Sequence, residues 1–375
     1  MFNHSDSLAP LNDTNSLKDK LVFVHSTLKE SYPFVCRIAV TIYDSETRVL
    51  KTFLHSSGDD ENPIQQYQAL LEDSQSMMQI VKTRQPRVIN DLEELQQCDK
   101  VHSKKIRHQG YAASYTMPMF HNDEFFGFLF FNSYKKNVFT EKRLNGIDVF
   151  AHLISSVIIN ELSLIKVMGA AIKTTSRMAH LRDPETGEHL ERMSRYSRLI
   201  AGVLAEKYDL DDDYIEHVFM FSPLHDIGKI AIPDHILLKP GALTEEERTI
   251  MRTLPDKGRE MIDSIVENFG LNHVSSINIL RNIAISHHEA VNGTGYPEGK
   301  KANEIPLEAR IVAVSDVFDA LTSERSYKKA WSNERAIEML KSIAGETLDI
   351  DCVDALVCNP IAIKEIQSRF KEGRC

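Results

Sequence analysis

The spacing of apolar residues changes at Thr140, and that change divides the chain. Before it, two paired runs of β-branched and aromatic residues flank polar turns. One is "FVCRIAVTIYDSETRVLKTFLHSS", around the turn "DSET"; the other is "YAASYTMPMFHNDEFFGFLFFNSY", around "HNDE". Each reads as a β-hairpin. The run "FFGFLFF" is apolar enough for a central strand. After Thr140, apolar residues recur every three or four positions through "GIDVFAHLISSVIINELSLIKVMGAAI", which is the period of a helix. No strand signal of comparable strength follows. The expected architecture is an α+β domain with an antiparallel sheet, a long connecting helix and an all-α bundle. A length of 375 residues agrees with two domains. The expected boundaries are a flexible stretch at 1–17, a first domain at 18–150, a connecting helix at 151–178 and a second domain at 179–375.

A net charge of −10 argues against a nucleic-acid polymer or a polybasic membrane anchor as partner. It leaves room for an anionic small molecule, because a local group of cations outweighs the global charge. The first residues, "MFNHSDSLAPLNDTNS", are polar, with no basic segment before an apolar one. Apolar stretches such as "VFAHLISSVII" read as too short for a membrane span. The expectation is a cytoplasmic protein without membrane contact. Five cysteines with no CxxC spacing read as free thiols.

His287 and His288 stand side by side in "HHEAVNGTGYP". Adjacent imidazoles point in different directions on any regular element. Both serve one site only if that site is large, such as a group of more than one metal ion. Further ligands are present. Glu185 and His189 are four apart, on one face of a helix. His225 and Asp226 are adjacent, near the end of an apolar helical run, with Lys229 one turn later. Asp316 lies in the strongly apolar run "RIVAVSDVFDALT", with Asp319 one turn on; such an acid is costly to bury unless a cation or hydrogen bonds compensate it. Singly, each has a blander reading as an ion pair or a solvated face, but their joint occurrence resists one. Imidazoles and carboxylates without thiolate suit iron, manganese or zinc rather than a structural zinc site. Asp226 is expected to bridge two metals, since a carboxylate has two oxygens and a ring nitrogen cannot be shared.

Over about residues 18–160 the order of elements resembles a GAF domain, best in "SYTMPMFHNDEFFGFLFFNSYKKNVFTEKRLNGIDVFAHLI". This implies a six-stranded antiparallel sheet with flanking helices and a sensory role. Over about residues 165–370, "HDIGKIAIPD", "LLKPGALTEEE", "HHEAVNGTGYPEG" and "IPLEARIVAVSDVFDALTSERSYKKAW" together resemble an HD-GYP domain. That resemblance implies hydrolysis of cyclic di-GMP, and in some members of cyclic GMP–AMP, to the linear dinucleotide or GMP. It implies a helical bundle holding two or three divalent metals, iron first and manganese second. The implied ligands are Glu185, His189, His225, Asp226, His287, His288 and Asp316. Asp226 and Lys229 are the implied catalytic residues, and Lys229, Asp319, Arg325 and Lys328 the implied substrate contacts. The loop "NGTGYPEG" is expected to be a rigid surface feature outside catalysis, available to a GGDEF-domain partner. One position departs from the family's pattern: "MRTLPDKG" has Leu254 where a ligand histidine is usual. Two functions follow. One is a metal-dependent phosphodiesterase, regulated by the GAF-like domain through a connecting helix that also forms a homodimer along its wide apolar stripe. The other is a degenerate receptor that binds cyclic dinucleotide or a protein without turnover.

Overall fold

The structure, a computed structural model, describes residues 6–13, 16–57, 67–93, 109–180, 187–271, 274, 276–324 and 329–371. The chain divides into two compact units, Met1–Leu164 and Ile165–Cys375.

The first unit is built on a six-stranded antiparallel sheet. Its strands are β1 (Arg37–Asp44), β2 (Val49–Ser56), β3 (Gln68–Leu70), β4 (Arg87–Ile89), β5 (Ala113–His121) and β6 (Glu124–Ser133), in the order β3-β2-β1-β6-β5-β4. Both expected hairpins form, and β6 is central, paired with β1 and β5. The β5–β6 turn holds Asn122 and Asp123 at φ 47° and 68°. Two successive left-handed residues match the twist of a tight hairpin, and Asn and Asp accept that conformation more readily than most. The sheet has the six strands that the GAF resemblance implied, but the edge strands β3 and β4 were not located in the sequence; three residues each are too few to show an alternating pattern.

On one face of the sheet, Ala39, Leu50, Phe128 and Phe130 pack with Leu71 and with Met77 and Ile80 of helix α2 (Gln75–Thr83). Tyr115 projects to the other face and donates to Asp148 Oδ1 at 2.5 Å. Asp148 belongs to helix α3 (Glu141–His180), the long helix expected from the sequence. Helix α1 (Leu17–Ser31) buries Leu17, Leu21, Val24 and Leu28. The segment Glu141–Val167 of α3 has a mean hydropathy of 1.5 and is long enough to cross a membrane, which corrects the expectation that no apolar stretch is. Its stripe of Ile147, Ala151, Ile154, Ile158 and Leu162 is nevertheless at most 2 % exposed, as in a core helix.

The second unit consists of α4 (Gly187–Tyr208), α5 (Asp212–Phe221), α6 (Asp234–Leu237), α7 (Glu245–Met251), α8 (Leu254–Asn268), α9 (Ile277–Ser286), α10 (Leu307–Thr322), α11 (Asn333–Ile343), α12 (Ile350–Val357) and α13 (Pro360–Arg369), with short 3-10 turns. Among its described residues there is no strand, only isolated bridges. Helix α4 packs against α5, α10, α12 and α13. Tyr196, Ile200 and Leu204 of α4 share one core with Val218, Ile311, Val314, Phe318, Leu340, Val353 and Leu356. The N-terminal end of α4 and the middle of α10 are thereby held side by side, and the site is built there.

Candidate metal centre

Four separate elements converge. His189 lies in the first turn of α4. His225 and Asp226 lie between the 3-10 turns Ser222–Leu224 and Ile227–Ala231, rather than at the end of a regular helix. His287 caps the C-terminal end of α9, with His288 next. Asp316 lies in α10. A glycine is required beside the His-Asp pair: a Cβ on Gly228 would sit 2.1 Å from the carbonyl oxygen of Leu254. The N-terminus of α8 thus presses directly under the turn that carries Asp226.

The donor atoms are close. His225 Nε2 is 3.3 Å from Asp226 Oδ2 and 4.0 Å from Asp316 Oδ1, which is 3.7 Å from His189 Nε2. Asp226 Oδ1 is 3.3 Å from His287 Nε2 and 3.7 Å from His288 Nε2. Lys229 Nζ is 2.9 Å from Asp226 Oδ2. The two carboxylate oxygens of Asp226 therefore face different histidines. The ligand atoms form two groups, His189–His225–Asp316 and His225–Asp226–His287, each within 4.8 Å.

Hydrogen bonding fixes which ring nitrogen faces inward. His225 Nδ1 is 2.9 Å from the carbonyl oxygen of Ser222, and His287 Nδ1 is 2.9 Å from that of Ile283. A carbonyl only accepts, so both Nδ1 atoms carry the proton and both Nε2 atoms present a lone pair. His189 Nδ1 is held by Asp319 Oδ2 at 2.8 Å, which gives the same tautomer. His287 Nε2 and Asp226 Oδ1 then face each other as two acceptors, buried and without a hydrogen-bond partner. Two facing acceptors repel unless a cation lies between them. A separation of 3.3 Å is what two metal bonds of roughly 2.1 Å leave between neighbouring donors. Electrostatics agree. Burial, and secondarily the nearby His288, lowers the pKa of His287 to about 4, so the ring stays neutral and able to ligate. Burial works against the charge on Asp226, but Lys229 and His225 hold its carboxyl well below the usual range. The residues present fit a divalent metal.

The loop after His288 differs from expectation. Glu289 accepts from the backbone N–H groups of Glu298 at 2.8 Å and Lys300 at 3.0 Å, closing the loop on itself. A Cβ at Gly295 would lie 2.2 Å from the nitrogen of Ala290, so only glycine permits this return. As a result the ring of Tyr296 stacks on His288, with centroids 4.8 Å apart and planes 22° from parallel. The loop reaches the site rather than standing apart from it. Burial, and then Asp226, raises the Tyr296 hydroxyl to about 12.

Asp319 is a second correction. Expected to touch substrate, it is fully buried and its oxygens accept from His189, from Arg192 Nε at 2.7 Å and Nη2 at 2.9 Å, and from Ser323 Oγ at 2.9 Å. Arg192 was missed, although its place three residues after His189, one helical turn on, was a signal that it faces the same site. Leu254 is 3 % exposed and packs with Ile232 and Ile236, contributing no ligand. Glu185, Arg325 and Lys328 lie outside the described residues.

Residues 16–159 match the family model of the GAF domain, and residues 173–352 that of the HD domain. The chain is 43 % identical over 201 residues to the cyclic di-GMP phosphodiesterase response regulator RpfG of Xanthomonas campestris pv. campestris, covering 53 % of this chain and 50 % of that one. It is 38 % identical over 213 residues to a probable cyclic di-GMP phosphodiesterase of Vibrio cholerae, covering 56 % and 48 %. It is 36 % identical over 176 residues to the 3'3'-cGAMP-specific phosphodiesterase 2 of the same organism, covering 47 % and 32 %. The chain spans about half the length or less of these relatives. A solved GAF domain/HD domain protein from Geobacter sulfurreducens aligns with a TM-score of 0.32 at 14 % identity, over 41 % of this chain and 96 % of that one.

Proposed function

We propose that this chain, which joins a GAF domain to an HD domain, is a metal-dependent phosphodiesterase acting on cyclic di-GMP, with 3'3'-cGAMP as a second substrate. The observation that supports it most strongly is the inward convergence of lone pairs from His225, His287 and His189 on Asp226 and Asp316, with Lys229 beside them. His189, His225, Asp316 and Asp226 Oδ2 would hold one metal. Asp226 Oδ1, His287 and His288 would hold a second, and Glu185 a third; iron is the preferred ion and manganese the substitute. Bound metal supplies a Lewis acid that polarises the phosphodiester and acidifies a water molecule. The chain's own residues do the rest. Asp226 offers one oxygen to each half of the site. Lys229 neutralises a non-bridging phosphate oxygen as a point charge. Arg325 presents a planar fork to phosphate or a guanine edge, and Lys328 adds a second cation. Water hydrolyses the phosphodiester, giving the linear dinucleotide and/or GMP.

The GAF domain regulates this activity through the long helix, which also forms the contact of a homodimer, and the loop around Tyr296 receives a GGDEF-domain protein. The protein acts in the cytoplasm. The test is turnover of cyclic di-GMP and 3'3'-cGAMP by Fe(II)- and Mn(II)-loaded protein beside Asp226→Ala. Hydrolysis by the parent and none by the variant is expected; equal turnover by both refutes the assignment. Leu254 supports a second reading, a receptor that binds cyclic dinucleotide without cleaving it. Binding with no hydrolysis in either metal form would select it.

A further inference from the structure

Helix α4 carries His189, Arg192 and Arg195 at successive intervals of three residues, so all three lie along one side of its first turns. Arg192 is 5 % exposed, and its guanidinium makes contacts in three directions. Nε and Nη2 grip the two oxygens of Asp319 at 2.7 and 2.9 Å. Nη2 also donates to Ser323 Oγ at 2.7 Å. Nη1 donates to the carbonyl oxygen of Phe370 at 3.0 Å, just past the end of α13. The Phe370 ring lies under the guanidinium of Arg195, 4.4 Å from its centroid. A continuous path of contacts therefore runs from the last turn of the described chain to Nδ1 of a candidate metal ligand.

We propose that Arg192 is a positioning residue which, anchored on Phe370, holds Asp319 so that His189 is locked in its metal-binding tautomer and orientation. This rests on the metal centre described above. The physical argument has three steps. A carboxylate gripped by both arms of a guanidinium cannot rotate about its own axis, so the direction of Asp319 Oδ2 is set by the position of Arg192. That oxygen fixes the His189 proton on Nδ1 and aims Nε2 at Asp316. The Phe370 carbonyl, at the C-terminal end of α13, then sets Arg192 itself by taking the one arm that Asp319 leaves.

The test uses the full chain stripped of metal. Mn(II) affinity is measured by titration calorimetry for the parent, Arg192→Gln and Arg192→Lys, and histidine ring tautomers are read from 15N spectra. Disturbing a residue that orients a metal ligand weakens metal binding by roughly 10- to 100-fold. Arg192→Gln is expected to lose that much, and Arg192→Lys less. The His189 signal should pass from the Nδ1–H form in the parent to a mixture in Arg192→Gln. Parent-like Mn(II) affinity in folded Arg192→Gln, even with a lowered melting temperature, overturns the proposal. If that variant does not fold, Arg192→Lys, which keeps the charge but loses the two-armed grip on Asp319, decides alone: unchanged affinity and tautomer overturn it. A parent protein that loads metal but cleaves no cyclic dinucleotide defeats the phosphodiesterase reading only, because the affinities of the variants still decide the role of Arg192.

Discussion

His288 has a side chain 27 % exposed, whereas the neighbouring His287 is 1 % exposed. Its orientation therefore depends on the Tyr296 ring stacked on it. An aromatic stack of this kind contributes about 1 kcal/mol, or roughly fivefold in a binding constant. Tyr296→Ala should weaken Mn(II) binding by about that factor, whereas Tyr296→Phe, which keeps the ring, should not; equal affinities in the two variants contradict the role. A second residue-scale consequence lies in the first unit. His25 is 2 % exposed, with Nε2 3.1 Å from the carbonyl oxygen of Val35 and Nδ1 2.7 Å from Ser56 Oγ. Nε2 must carry the proton, so the neutral ring accepts from the Ser56 hydroxyl. Burial, and to a smaller degree the charge of Lys29, lowers its pKa below 6.5. The unfolded chain then binds a proton that the folded one refuses. Stability from this residue is complete above pH 6.5 and is lost as the pH falls below it. The urea midpoint of the first unit should drop between pH 7.5 and 5, and His25→Gln should flatten that dependence; identical slopes contradict it. Adjacent ligands such as His225–Asp226 and His287–His288 were legible in the sequence because neighbours in the chain stay neighbours in space. Asp319 was misassigned because its partners, His189 and Arg192, are 130 and 127 residues away.

Among the elements, the turn Ile227–Ala231 lies so close to α8 that its geometry sets the place of Asp226 and Lys229. Gly228→Ala would place a Cβ 2.1 Å from Leu254 O and 2.8 Å from Gly258 N, against backbone that cannot give way cheaply. Overpacking of this kind costs about 1–3 kcal/mol. The variant should melt lower and bind Mn(II) more weakly. An unchanged melting temperature would show that the approach is looser than described. Long elements with a clear period, β1, β2, β5, β6 and α3, were readable from the sequence. The three-residue edge strands β3 and β4 were not, because pairing with β2 and β5 creates them and no local pattern marks them. The His225–Asp226 segment was read as a helix end. Pro223 lies within one 3-10 turn and Gly228 within the next, so the backbone leaves regular helix there.

For the whole molecule, the change of period at Thr140 marks the start of α3, and the two units, each with its own core, divide within that helix after Leu164. Because the candidate ligands all belong to the second unit, added metal should stabilise only that one. Calorimetry of the full chain should show two transitions, and Mn(II) at about a hundredfold excess over its dissociation constant should raise one of them by about 2.7 kcal/mol of stability. A shift of both transitions, or of neither, contradicts the account. The central claim, that separate helices bring imidazoles and acids around cations, is tested most directly by anomalous diffraction from crystals of the Fe(II)-loaded protein at the iron absorption edge. We expect peaks between His189, His225, Asp226, His287, His288 and Asp316, with Asp226 touching two of them. A map with no iron peak among those six side chains would contradict it.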